Sequence, residues 1–294
     1  MVILSQRIHF FEINDEAWFP QFLREHVQSC LNRFWIFKVP LLQSSSPAQL
    51  VASTLHRVVG ADIRNYTIVD FCAGAGGPTP VIEHDLNQKL DSAPRESHSN
   101  DRDSKGGQDV QFVLTDLHPH IQAWTKIAKR SKNITFISEP VDATNAPATL
   151  TGTQGKKVFR MYNLGFHHFD DGLASQILRN TLENSDGFGI FELQDRTFSS
   201  MVMMMGLGLL LFLITPFYFW RSPSHLLFTY IIPIIPFVVV FDGYISALRT
   251  RTPEEVETLL RGCGVSLDEW KLLSGTEQHT WPIGNMSWVI ALKR

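Results

Sequence analysis

The stretch "TIVDFCAGAGGPTP", Thr67 to Pro80, runs a β-type apolar segment straight into a glycine-rich turn and then a helix start. Glycines let a backbone turn tightly and approach a ligand, and the helix after the turn offers free N–H groups. Such a turn is common in α/β loops, so its weight comes from three motifs downstream. "VLTDLHP" puts Asp116 at the tip of a second strand, where a carboxylate can accept hydrogen bonds from ribose hydroxyls. "EPVDATN" puts Asp142 after a third strand, near where an adenine would lie. "MYNLGFHHFDD" closes a fourth strand with Asn163, His167 and His168 at the point where strand order reverses. Asp70 and Asp116 also have plain structural readings, as a strand-end cap and a helix cap. A carboxylate inside a buried strand is expensive without a partner, which favours a binding role for Asp70. An imidazole titrates near neutrality, so either histidine could take a proton. Adjacent residues at a strand end point to opposite sides, so at most one should face the site; the alternative is that both only support the loop. A metal site from His167, His168, Asp170 and Asp171 lacks helical i, i+4 spacing, and none is expected.

These residues need a scaffold that delivers them to one edge. "AWFPQFLREHVQSCLNRFWIFK" and "SPAQLVASTLHRVVG" repeat apolar residues at helical spacing and form an N-terminal helical cap, residues 1–60. From there strands and helices alternate: "YTIVDF", "VQFVLTD", "ITFISEPVD", "VFRMYNLGF" and "GFGIFELQD" as strands, with helices between them. Alternation of this kind implies right-handed crossovers and a mostly parallel sheet. "TPEEVETLLRGCG" adds a helix, and "EWKLLSG" with "SWVIALKR" a closing antiparallel hairpin. The expected fold is therefore α/β and Rossmann-like, its catalytic domain covering residues 61–200 and 242–294. Residues 91–109 are polar and form a disordered loop, and residues 201–241 are an inserted apolar helical hairpin.

The ordered set resembles the class I S-adenosylmethionine-dependent methyltransferases, small-molecule branch. Their first motif is an acidic residue followed by G-x-G-x-G, and Asp70, Cys72, Gly74 and Gly76 hold those positions, with Cys72 where the first glycine is usual. The resemblance implies S-adenosylmethionine as cofactor. Gly74 and Gly76, with Ala73, would pass its methionine moiety, Asp116 and Leu117 its ribose, and Asp142 and Ala143 its adenine. Asn163 joins the same set, and one of His167 and His168 would be catalytic. Glu192 and Gln194, at the end of the fifth strand, either line the mouth of the acceptor pocket or bond to a neighbouring loop. Trp18 and Phe19 are either core aromatics or part of a lid over the acceptor. Because the sulfonium is already activated, the protein's main contributions are alignment and desolvation. A non-methylating rearrangement on the same fold and a non-catalytic membrane scaffold are the alternatives.

"MVMMMGLGLLLFLITPFYFW", Met201 to Trp220, carries no charged side chain and matches the length of a bilayer span. "LLFTYIIPIIPFVVVF", Leu226 to Phe241, is shorter and broken by Pro233 and Pro236. The block is open to three readings: a transmembrane hairpin, a re-entrant or interfacial hairpin, and a buried lid or dimer element. Arg196, Arg249 and Arg251 flank one end against Arg221 in the turn, which leaves the catalytic domain facing the cytosol. Its place directly after the fifth strand points to a lipophilic acceptor such as a terpenoid, polyketide, quinone or lipid, with membrane lipids as partners. A net charge of −3 and the lack of a Lys/Arg stripe disfavour nucleic acid. Cys30, Cys72 and Cys263 are too scattered for a disulfide framework or zinc site. The N-terminal stretch turns acidic too early for a secretory signal. Oligomeric state is left open.

Overall fold

The structure is a computed structural model that describes residues 6–92, 108–148, 150 and 155–294. The polar loop expected at 91–109 falls largely outside these residues. Seven strands form one sheet: β1 (Tyr66–Phe71), β2 (Gln111–Leu114), β3 (Ile134–Phe136), β4 (Lys157–Asn163), β5 (Gly187–Glu192), β6 (Trp270–Thr280) and β7 (Gly284–Lys293). They lie in the order β3-β2-β1-β4-β5-β7-β6. β1 to β5 are mutually parallel, while β7 runs antiparallel to both β5 and β6. This is the Rossmann-like sheet with a closing antiparallel hairpin. Order reverses beside β1, so the carboxyl ends of β1, β2 and β4 open onto one crevice.

Nine helices surround the sheet among the described residues: α1 (Gln21–Ile36), α2 (Pro47–Val59), α3 (Thr79–Ser92), α4 (Ile121–Ala128), α5 (Asp171–Asn184), α6 (Phe198–Tyr218), α7 (Pro223–Leu226), α8 (Ile234–Arg249) and α9 (Pro253–Gly262). β1 and β5 are buried along their whole length, as strands covered on both faces must be. One face packs on α2, α3 and α4 through Val51, Leu55, Leu86 and Trp124. The other packs on α5 and α9 through Ile177, Leu178, Val256 and Leu260. Ser46 and Thr252 cap α2 and α9 with full capping boxes, each followed by proline in the first turn.

A third core lies outside the sheet layers. Phe19, Leu23, Val27 and Cys30 of the α1 region pack against Leu211 and Ile214 of α6 and against Ile235, Val238 and Val239 of α8. The expected 1–60 unit is thereby divided: α2 belongs to the sheet layers, whereas α1 belongs with the apolar helices. Only the apolar face of each helix decides this, and both faces look alike in sequence. The inserted block also starts earlier and ends later than residues 201–241, because α6 is capped at Thr197 and α8 continues to Arg249. α6 is long and apolar enough to cross a membrane. The second segment breaks after a π-helical turn, Leu227–Ile231, and bends by 70° before α8. Pro233 stands at that break, and Pro236 lies in the first turn of α8, where a missing N–H costs nothing.

α6 and α8 meet at glycines. A Cβ on Gly208 would stand 2.3 Å from Val240 Cγ2, while one on Gly206 would meet nothing within 4 Å. Gly208→Ala is therefore expected to destabilise by about 1–2 kcal/mol, overpacking outweighing the helix gain, and Gly206→Ala to stabilise by up to about 1 kcal/mol. Denaturant unfolding of the two variants in detergent checks the contrast.

Candidate active site

β1 delivers Asp70 to the crevice and then turns through an unusual backbone. Cys72, Gly74, Gly76 and Gly77 have φ of +59°, +51°, +99° and +39°. Cys72, where the motif ordinarily has glycine, thus adopts the left-handed conformation that glycine takes freely. Gly76 is required for space as well, since a Cβ there would lie 2.2 Å from Ile127 Cδ1. Trp124 of α4 pins the turn by donating from Nε1 to Gly74 O at 2.8 Å.

The Asp70 carboxylate is buried and accepts from Thr79 Oγ1 at the start of α3 and from Asn163 Nδ2 at 3.2 Å. Burial pushes Asp70 up to about 7; its two hydrogen bonds pull the other way and the Asp116 charge adds to the rise. Burial likewise pushes the Cys72 thiol up. Asn163 Oδ1 is buried with no partner among the described residues. Such an atom costs free energy unless a donor reaches it. Asp116 accepts from Gly74 N at 2.9 Å and from His118 N at 2.8 Å, which leaves a free lone pair on each oxygen. Ala73 is buried in the turn and Leu117 is exposed beside Asp116. The segment after β3 joins them, because Val141 N donates to Asp116 O at 2.9 Å. There Asp142 caps a single turn by accepting from Thr144, and Ala143 is buried next to it. The ten residues singled out in sequence for the cofactor therefore lie on the ends of β1, β2, β3 and β4.

The histidines stand differently from the strand-end picture. β4 ends at Asn163, Leu164 takes φ +51°, and Phe166–His168 form a 3-10 turn. Both rings consequently lie on the same side, centroids 4.3 Å apart, rather than on opposite sides. The alternation rule fails because the strand has already stopped. The turn touches the glycine-rich loop: a Cβ on Gly165 would lie 3.3 Å from Cys72 Cβ.

His167 is buried and doubly held by Glu192 of β5. Its backbone N–H donates to Oε1 at 3.0 Å and its Nδ1 pairs with Oε2 at 2.8 Å. This pairing assigns the ring proton to Nδ1 and leaves the lone pair on Nε2. Gln194 supports the arrangement from beneath, donating from Nε2 to Glu192 Oε2 at 3.3 Å and to Thr250 Oγ1 at 3.1 Å. Glu192 and Gln194 are therefore buried in the wall of the site, not at an exposed mouth. Phe19 is part of the α1/α6/α8 core, and Trp18 is exposed.

One residue without a motif of its own completes the cluster. Glu12 is buried, with Oε1 3.0 Å from Arg249 Nη1 and 3.8 Å from His167 Nε2. Ser246 also donates to it at 3.0 Å. Its only sequence signal is a carboxylate isolated in "FFEIN". Asp15 lies three residues on and accepts from His168 Nδ1 at 3.0 Å. Asp170 and Asp171 are not part of the cluster, since Asp170 caps α5 and Asp171 pairs with Arg251 at 2.7 Å. Glu12, His167 and His168 do bring possible ligand atoms within 4.8 Å of one another. Within this group Glu12 is already paired with Arg249.

No family model and no curated protein matches the chain. Solved structures are similar at low identity. LepI in complex with SAM is 16% identical over 82% of this chain and 46% of its own, with a TM-score of 0.43. Human N-acetylserotonin methyltransferase is 11% identical over 84% and 55%, at 0.40. Magnesium protoporphyrin IX methyltransferase from Synechocystis is 10% identical over 96% and 91%, at 0.46. The chain spans about half the length of the first two. At these scores the fold rests on the strand order itself, and the activities named for those proteins stay theirs.

Burial alone would lower the His168 pKa, but the Asp15 hydrogen bond and the charges of Glu12 and Asp15 overcome it and hold it up to about 9. An unfolded histidine releases its proton near 6.5. The stability from this pair is thus fully present below about pH 6.5 and is lost as pH rises from there through about 9. Unfolding midpoints across that range should fall with pH in the parent and fall less steeply in Asp15→Asn.

Proposed function

We propose that the chain is an S-adenosylmethionine-dependent methyltransferase that acts on a lipophilic small molecule at a membrane. The observation that carries this reading is the buried pair of Asp70 and Asn163, whose Oδ1, without a partner among the described residues, and neighbouring carboxylate suit an ammonium group. The amino acid end of S-adenosylmethionine presents such a group. The left-handed turn from Cys72 to Gly77 gives close backbone approach beside it. Asp116 retains lone pairs for ribose hydroxyls, and the Asp142–Ala143 turn would flank the adenine. The residues present therefore fit the cofactor. When bound, it supplies an activated methyl group on a sulfonium, so the protein need not activate the donor.

The chain's own work is alignment and proton handling. Glu192 orients the His167 ring and stabilises the imidazolium that forms when Nε2 takes a proton. Glu12, fixed by Arg249, stands across from that nitrogen and confines where an acceptor hydroxyl can sit. α8 and the residue after it supply Ser246, Arg249 and Thr250 to this wall, so the apolar helices and the proton-accepting group share one boundary. An acceptor dissolved in apolar surroundings is the class this boundary suits, with the catalytic domain on the cytosolic side.

Detergent-purified protein incubated with methyl-labelled cofactor and lipophilic extracts should yield a product heavier by one methyl group. An isomer of unchanged mass would favour rearrangement instead, and failure to bind cofactor would end the proposal. Asp116→Ala is expected to weaken cofactor binding roughly tenfold or more, the loss of a charge-assisted hydrogen bond. His167→Ala should leave cofactor binding intact and lower kcat by about 10²–10⁴-fold. A rate that survives His167→Ala removes the base assignment.

A further inference from the structure

α6 is covered by the protein along one side only. Its one side packs on α1 and α8, while Phe198, Val202, Met205, Leu209, Leu213 and Phe217 form an exposed stripe on the other. Leu213 and Phe217 are 67% and 78% exposed. At 1.5 Å per residue the stripe runs about 28 Å along the protein surface. Between Phe198 and Phe241 the one side chain carrying a full charge is Arg221, and there is no carboxylate.

We propose that α6 lies in the plane of an anionic membrane surface, its stripe immersed in one leaflet, and does not cross the bilayer. One observation selects this arrangement over a span, and a second selects an acidic surface. First, α1 runs beside the distal half of α6: Phe37 meets Tyr218 edge-on at 5.7 Å and the Arg33 guanidinium covers the same ring at 4.8 Å. A spanning α6 would drag Arg24, Glu25, Arg33 and Lys38 of this segment into hydrocarbon, where charged side chains are rare and costly. Second, cations and interfacial aromatics gather at the distal end of the stripe. Arg221 stacks over the exposed Trp220 at 4.6 Å, and Arg33 lies on Tyr218, with Lys38 adjoining Phe37 in the chain. Indole, phenol and basic groups at one edge of an apolar strip match the headgroup level of an acidic leaflet.

Ser222 caps α7, and Tyr230 donates its hydroxyl to Phe212 O across the turn. The root of the same helix pair is the wall of the candidate active site, so an acceptor would pass from the leaflet to His167 without crossing water. That route rests on the methyltransferase reading; the seating itself does not.

The full chain, mixed with preformed vesicles of phosphatidylcholine with and without phosphatidylserine, tests the seating by flotation. Binding should be at least about tenfold stronger to the acidic vesicles and should drop at least about tenfold in Leu209→Glu/Leu213→Glu and in the milder Phe217→Ser. Both variants alter exposed positions, and unchanged melting curves show that they fold. A Ser222→Cys variant should react with a membrane-impermeant maleimide equally in sealed and in detergent-opened vesicles. Reaction only after opening would overturn the proposal in favour of a span. Lack of flotation would overturn it too, and a parent dimer that Leu209→Glu/Leu213→Glu makes monomeric would overturn it by placing a second copy on the stripe. Methyl transfer measured in detergent in parallel keeps the two readings apart: its survival in a parent chain that does not float sinks the seating alone.

Discussion

A carboxylate taken out of water must be met by a cation or give up its charge, and the buried pair of Glu12 and Arg249 is where this chain meets that demand. Each partner comes from a different layer. Glu12 rides on the segment before α1, and Arg249 closes α8. Their pairing holds the N-terminal segment across the ends of β4 and β5, which in turn sets Glu12 opposite His167. Removing either partner leaves a buried charge alone, commonly a loss of about 3–5 kcal/mol. The pair is thus less a source of net stability than a condition on geometry, since the charges tolerate few other arrangements. Asp242 reinforces the same junction by accepting from the backbone N–H of Ile13 at 2.7 Å and of Asn14 at 3.0 Å.

The two halves of the site differ in what holds them. The side around Asp70 and Asp116 is built from backbone: a strained turn, a few strand ends and the groups that pin them. The side around His167 is built from side chains of β5, the 3-10 turn, α8 and the N-terminal segment. Gly165 against Cys72 is where the halves touch, so a shift of the glycine-rich turn is transmitted directly to the histidine turn.

This division also explains what could be read from the chain alone. The five parallel strands and the closing hairpin were legible because each strand announces itself by a short apolar run, whereas their order in the sheet was not. Asp70, Gly74 and Asp116 were legible for the same reason, being fixed by their distance from a strand end. The orientation of His167 and His168 was not, because a positive φ at Leu164 ends the strand before the alternation rule can apply. Glu12 was missed because its partners lie more than 150 residues away along the chain and no local pattern encodes them. α1 and α2 were joined into one cap because an apolar helical face does not say which surface it will meet.

The strap that carries Glu12 has a consequence for the order in which the chain is made. Glu12 leaves the ribosome 237 residues before the arginine that neutralises it. During that interval its side chain remains in water, and the segment around it has nothing to close upon. The cluster of Glu12, His167 and His168 therefore cannot assemble until α8 is complete, by which time both apolar helices, α6 and α8, have been made. Closure of this cluster and completion of the apolar helices are thus tied to the same stage of synthesis.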